Sequence, residues 1–263
     1  LELLVLGVLG WGVGAAAAAY SASLLTCSVV AFVPFARGRM VLRFVRPRPS
    51  ARLVRQIAAC GTPTFLNNVA GRVTSVLMNY FLLASGGETA VSAYGILMSI
   101  DGVVQALLYG MVDSLQPAVG YNWGARLFGR VREIERWCFG AAAAGSVALG
   151  CAAMAAPEPL IHLFVGGADE ALVSMAVPAI RIFCLAYLVR WVSFASQSYL
   201  MAIERSRAAA TMSVCTVLVF PVLLIVCLRG LGLAGFWLNM PVTALLSGLL
   251  ALWMLRGLRD DMA

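Results

Sequence analysis

Five ionisable side chains, Arg72, Asp101, Asp113, Arg181 and Arg190, sit inside stretches otherwise made of aliphatic, aromatic and small residues. Placing such a group among hydrocarbon costs roughly 2.5–3.5 kcal/mol on insertion scales, so each must face protein or water. Two arrangements answer that cost. Opposite charges can pair, Arg72 with Asp101 for instance, and simply hold a bundle together. Alternatively they can line a wet cavity, where a carboxylate takes up and releases a proton or cation as a solute passes.

The polar residues around them favour the cavity. In segment 91–118, at 100° per residue, Tyr94, Gln105, Tyr109, Asp113 and Gln116 all fall within about 120° of Asp101, forming one stripe. In 57–84, Asn67, Gly71, Ser75 and Asn79 recur every four residues, with Asn68 and Arg72 beside them. In 172–202, Arg190, Ser193 and Gln197 share a face, Tyr187 is adjacent, and Arg181 points elsewhere. The expected interior is therefore lined by Asp101, Gln105, Tyr109, Asn67, Asn79, Arg72, Arg190 and Gln197. Asp101 is the candidate for the exchanged ion, and its uncharged neighbours are candidates for contacts to a solute. Cys27, Cys60, Cys138, Cys151, Cys184, Cys215 and Cys227 are scattered without a CxxC pair, and His162 is the lone histidine, so neither a metal nor a disulfide is expected. No lysine is present and no His/Glu or Ser/Lys constellation forms, which argues against an enzyme.

The elements that must position these residues follow from composition. Of 263 residues 62% are hydrophobic and 12% charged, against about 25% charged in soluble domains. Too little polar surface exists to cover a sphere in water, so lipid must be the solvent. A spanning helix needs about 20 apolar residues; the sequence predicts spans near 13–35, 57–84, 91–118, 137–156, 172–202, 209–228 and 232–255, with a stub at 1–9. The fold class is an all-α polytopic bundle. Leu1 opens within an apolar run, which reads as the interior of a longer protein.

The connections alternate in charge. All nineteen basic residues are arginines, and they cluster in 36–56, 119–136, 203–208 and after 255. Connections 85–90, 157–171 and 229–231 hold Glu88, Glu158, Asp169 and Glu170 against Arg229 alone. By the positive-inside rule the first set faces the cytoplasm, and arginines so placed are topology signals rather than a groove for nucleic acid. The 36–56 stretch, with Pro47 and Pro49, reads either as a linker between lobes touching anionic headgroups or as a solvated loop that fixes topology.

At Gln116-Pro117-Ala118-Val119-Gly120-Tyr121-Asn122-Trp123-Gly124-Ala125 the chain resembles the QP-x-x-GYN-x-GA signature of multidrug and toxic compound extrusion (MATE) transporters. Gly61-Thr62-Pro63 resembles the family's G-x-P, Gln197 to Arg207 its polar turn between the tenth and eleventh helices, and Ala15 to Ser21 the opening of its sixth helix. The resemblance implies a twelve-helix antiporter of two six-helix lobes. This chain would supply the tail of the fifth helix and the sixth (1–35), a basic inter-lobe loop (36–56), the C-terminal lobe (57–256) and a cytoplasmic tail (257–263). Its partners would be a small-molecule substrate, the bilayer and the N-terminal lobe of the same chain, in a multi-pass cell membrane location of bacterial inner-membrane type. No cofactor is implied beyond the coupling H⁺ or Na⁺.

The resemblance implies that some members bind that cation through a Glu on the seventh helix and an Asp on the tenth, and others through an Asp on the first helix, which lies outside this stretch. Segments 57–84 and 172–202 carry no carboxylate in their middles, so the coupling ion is left open. Asp101 and Asp113, on the eighth, are the intramembrane acids present. Near the cytoplasmic end, Asp113, Gln116, Pro117, Tyr121 and Asn122 are candidates for a gate or a structural lock. Export of amphiphilic or cationic molecules is the leading expectation. The alternatives are a flippase for lipid-linked saccharide precursors, a membrane-embedded enzyme and a non-transport membrane subunit.

Overall fold

The computed structural model describes residues 13–38, 50–165 and 169–260. The stub at 1–9 and most of the 36–56 loop lie outside the described residues. The chain divides into two compact units, Leu1–Leu53 and Val54–Ala263. The first holds α1 (Val13–Ala36), an alanine-rich helix with Pro34 in its last turn.

All but the first three residues of α2 (Ala51–Asp113) belong to the second unit, and its helical geometry fails at Gly87 with φ 67° and ψ −162°. A side chain there would be strained, so glycine supplies the turn. The apolar stretch through this region is 60 residues long, or about 90 Å if straight, three times a hydrocarbon layer of about 30 Å. Gly87 therefore divides α2 into two limbs, 51–86 and 88–113, and the apolar stretch runs on past the second to Gly124. Both feed one core: Met78 and Leu82 from the first pack with Tyr94, Leu97 and Leu108 from the second.

After Ser114 the chain continues as α3 (Leu115–Gly124), α4 (Phe128–Ala155), the short α5 (Pro157–Phe164), α6 (Glu170–Cys184) and α7 (Tyr187–Ala202). Next come α8 (Ser206–Val214), a π turn (Cys215–Val219), α9 (Phe220–Leu228), a 3₁₀ turn (Arg229–Leu231) and α10 (Leu233–Asp260). No strand occurs among the described residues. Five helices, together with the bent pair α6–α7, are long and apolar enough to cross a membrane. Because the longest divides at Gly87, seven spans result among the described residues, matching the number read from the sequence.

Three of the differences in boundaries bear on the site. Segment 172–202 is not one rod: α6 and α7 meet at 50°, and Leu185, Ala186 and Leu188 each bond the carbonyl three residues back, the tighter 3₁₀ pattern. Most of the expected 119–136 connection is helical, since only 125–127 separate α3 from α4. Arg126 there adopts φ 57°. Segment 157–171, expected as a connection, contains α5.

The π turn has an identifiable cause. Pro221 has no N–H to give the carbonyl of Val217, four residues earlier. Thr74 Oγ1, from the first limb of α2, donates to that carbonyl at 2.7 Å instead. A polar side chain so close to a helix-breaking proline both satisfies the orphan group and fixes the two helices together. A second core is drawn from α3, α4, α7, α8 and α10 and includes Leu115, Leu200, Met212 and Ala251.

Candidate functional site

Asp101 lies on the second limb of α2 and is 3% exposed. Its Oδ1 accepts from Arg190 Nη1 at 2.5 Å and from the Tyr187 hydroxyl at 3.0 Å. Its Oδ2 accepts from Gln105 Nε2 at 2.7 Å, one turn along the same helix. Arg190 and Tyr187 are three residues apart on α7, so a single helical face presents both to the acid. The Arg190 guanidinium also stacks over Phe194, 5.0 Å from the ring centroid, a cation–π contact that partly replaces lost hydration. Phe194 in turn packs on Tyr109 with ring centroids 4.8 Å apart, and the Asn67 amide interacts with the Tyr109 hydroxyl.

Asp101, Gln105, Arg190, Tyr109 and Asn67 thus join into one chain of contacts linking both limbs of α2 to α7. Charge is balanced at its centre. Among the described residues the Asn67 side-chain carbonyl oxygen is buried without a hydrogen-bond partner.

The other expected residues lie elsewhere. The pairing of Arg72 with Asp101 is overturned, because the acid's partner is Arg190. The four-residue repeat on the first limb splits: Asn67, Gly71, Ser75 and Asn79 are half-buried, whereas Asn68 and Arg72 are exposed. A stripe as broad as 67/68–71/72 spans two sides of the helix, and only one can meet the core. Asn79 is not tied to Asp101 by any described contact. Gln197 hydrogen-bonds Ser213 and so ties α7 to α8.

Near the end of the second limb a smaller polar knot forms. Gln116 Nε2 donates to Asp113 Oδ1 at 3.1 Å and to Ser198 Oγ at 2.9 Å. Ser198 Oγ in turn lies 3.2 Å from Asp113 Oδ1 and 3.3 Å from the carbonyl of Val112. These bonds bracket the break at Ser114 and fasten it to α7. Asn122 Nδ2 caps the carbonyl of Ala118 at 2.8 Å, and Pro117 and Tyr121 are exposed, Tyr121 by 76%. Sequence reasoning placed Tyr187 beside the Arg190 face without assigning it to the acid, and missed Ser198 and Phe194 as members of these sites. For Phe194 the signal was available, since it stands four after Arg190 on the same face.

A match to the MatE family model covers residues 63–226, more than half the chain. The chain belongs to the MatE family. It is 26% identical over 217 residues to the multidrug export protein MepA of Staphylococcus aureus (strain NCTC 8325 / PS 47), covering 81% of this chain and 46% of that one. MepA of Staphylococcus saprophyticus is 25% identical over 223 residues, covering 84% and 48%. The chain therefore spans about half the length of the curated relatives it matches.

Solved structures share the fold. An outward-facing multidrug resistance MATE transporter of the MOP superfamily superposes with TM-score 0.83 at 18% identity, over 95% of this chain and 57% of that one. A MOP superfamily transporter from Pyrococcus furiosus, described as having a binding pocket whose reverse polarity suggests a different function, gives 0.81 at 19%, over 95% and 57%. Both are membrane transporters. The present chain is a multi-pass, all-α membrane protein of the MatE family.

Proposed function

We propose that this chain acts as part of a secondary antiporter, in a bacterial-type inner membrane, that exports amphiphilic or cationic small molecules in exchange for H⁺ or Na⁺. Membership of the MatE family and the similarity to multidrug export proteins support the class of activity. One observation carries the mechanism: the buried Asp101 is joined to α7 through Tyr187 and Arg190, immediately after the 50° break from α6.

A proton or Na⁺ arriving at Asp101 competes with Arg190 and Tyr187 for the carboxylate oxygens. Their release frees the first turn of α7 and biases the bend between α6 and α7, a two-state element of the hinge kind. Solute and ion then weaken each other's binding by the same factor, which is what exchange requires. Asp113, with Gln116 and Ser198, locks the opposite end of the limb and acts as a gate or brace. The missing partner in this scheme is the other lobe of the protein, and alternating access moves the two lobes against each other.

A second reading, a flippase for lipid-linked saccharide precursors, is favoured by one observation: Arg72 is exposed on a membrane-spanning limb.

Uptake of ethidium into inverted vesicles containing the full-length protein separates these roles. Asp101→Asn should slow uptake by about tenfold or more, within the 5–150-fold range of a typical coupling energy, and Asp113→Asn by less. Normal uptake by Asp101→Asn alongside failure of Asp113→Asn removes Asp101 from the coupling role. Absence of ethidium uptake by the unaltered protein, with movement of an anionic lipid-linked saccharide instead, selects the second reading.

A further inference from the structure

The bend between α6 and α7 has no cause in its own sequence. Residues 183–188 read Phe-Cys-Leu-Ala-Tyr-Leu, and Pro178 lies seven residues before Leu185. Sharp bends without proline or glycine arise where an outside side chain enters the backbone hydrogen-bond ladder. Here α4 supplies that side chain.

Ser146, fully buried on α4, donates its hydroxyl to the carbonyl of Tyr187 at 2.5 Å. A serine within a helix often turns its proton back on the carbonyl four residues earlier; this one gives it to another helix. One turn along α4, Gly150 leaves open the space that Tyr187 needs. A Cβ at Gly150 would lie 3.0 Å from the Tyr187 Cβ and 3.5 Å from the Cys184 carbonyl oxygen. Ser146 and Gly150 share a face of α4, since four residues return a helix to within about 40°. They meet the chain on both sides of the break, Cys184 before it and Tyr187 after it. The Phe183 ring, one turn back, meets the Tyr187 ring edge to face with centroids 6.1 Å apart. Backbone, Cβ and ring of Tyr187 are thus all held, and its hydroxyl ends 3.0 Å from Asp101 Oδ1.

We propose that Ser146 and Gly150 form a socket that imposes the bend between α6 and α7 and aims the Tyr187 hydroxyl at Asp101, which makes them positioning residues for ion exchange. The exchange role rests on the antiport reading; the aiming does not. Both residues are buried, so they act through Tyr187. An ion reaching Asp101 must displace a hydroxyl whose starting point is fixed from behind, and the strength of that competitor is therefore set on α4.

Fluorine NMR of the full-length protein, with 3-fluorotyrosine in place of Tyr187, reads the aim. Asp101→Asn marks the resonance of the ring without its charged acceptor. Ser146→Ala and Gly150→Ala should each move the signal toward that position, and Ser146→Thr should keep it near the unaltered one. Gly145→Ala, which crowds Met111 instead, should leave the signal in place. If Gly150→Ala does not fold, the smaller change Ser146→Ala carries the test. Ethidium uptake supplies the second arm. Ser146→Ala should slow it about fivefold, the factor of one neutral hydrogen bond, and should add nothing once Tyr187→Phe has removed the hydroxyl. A signal unmoved by Ser146→Ala, or moved as far by Gly145→Ala, overturns the proposal. So does an equal slowing in the Tyr187→Phe background, or a moved signal with normal uptake where Asp101→Asn is impaired. Normal uptake by Asp101→Asn as well removes the antiport reading, and the moved signal then still supports the socket.

Discussion

Asp101 and Asp113 stand on the same limb of α2, yet the fold treats them as different chemical objects. Asp101 is buried, holds a full counter-charge and fills both carboxylate oxygens. Asp113 is exposed, accepts from two neutral donors and has no cationic partner among the described residues. Desolvation magnifies every consequence of removing a partner at the first position, while solvent blunts it at the second. The lesson is that an acid in a membrane helix cannot be assigned a role by type and depth alone. The helix that packs against it decides.

The largest effect should come from breaking the buried pair on one side only. Arg190→Met leaves Asp101 charged and unpaired, and should cost about 3–5 kcal/mol of stability, as is usual for a stranded buried charge. The unfolding midpoint of the full-length protein in a detergent titration reads this out. Adding Asp101→Leu to that variant should recover most of the loss, because a buried pair replaced by apolar groups is often near neutral. No recovery would mean that Tyr187 and Gln105, rather than Arg190, dominate the acid's surroundings.

Next in size, Phe194→Leu removes the ring beneath Arg190 and against Tyr109; about 1 kcal/mol is expected from the cation–π and aromatic contacts. Arg190→Met should erase most of that increment in a double-mutant cycle, which tests whether ring and ion pair form one unit. Smaller still, Asp113→Asn preserves hydrogen bonding to Gln116 and Ser198 and should shift stability by about 1 kcal/mol or less. A loss as large as that of Arg190→Met would erase the contrast between the two acids.

Much of this was legible in the sequence, for reasons that can be named. Spans follow from hydrophobic run length, which the bilayer imposes on each segment separately. The turn at Gly86-Gly87 was marked by composition, and the stripe through Asp101, Gln105 and Tyr109 follows from helical periodicity within one limb. What could not be read was pairing between segments. Arg72 and Arg190 are equivalent candidates for Asp101 until the neighbours of α2 are known, and nothing local says that α7 brings Arg190 to the acid. The split of the Asn67/Asn68 and Gly71/Arg72 repeat is hidden for the same reason. The break at Leu185–Ala186 carries neither proline nor glycine, so the rule that places kinks at those residues does not find it.

The π turn at Cys215–Val219 also alters how this helix is to be compared with others. Before it the core side carries Ala209, Met212 and Ser213; after it, Pro221, Leu224 and Ile225. An unbroken 3.6-residue wheel drawn from Met212 and Ser213 would turn inward at positions 219 and 220 rather than at Pro221. The helix has in effect absorbed one additional residue, displacing everything beyond it by about 100°. An alignment forced through this region without a gap would match lipid-facing positions of one protein to core positions of the other. Deleting a single residue from 215–219 would restore the even winding and leave Pro221, Leu224 and Ile225 on the core side.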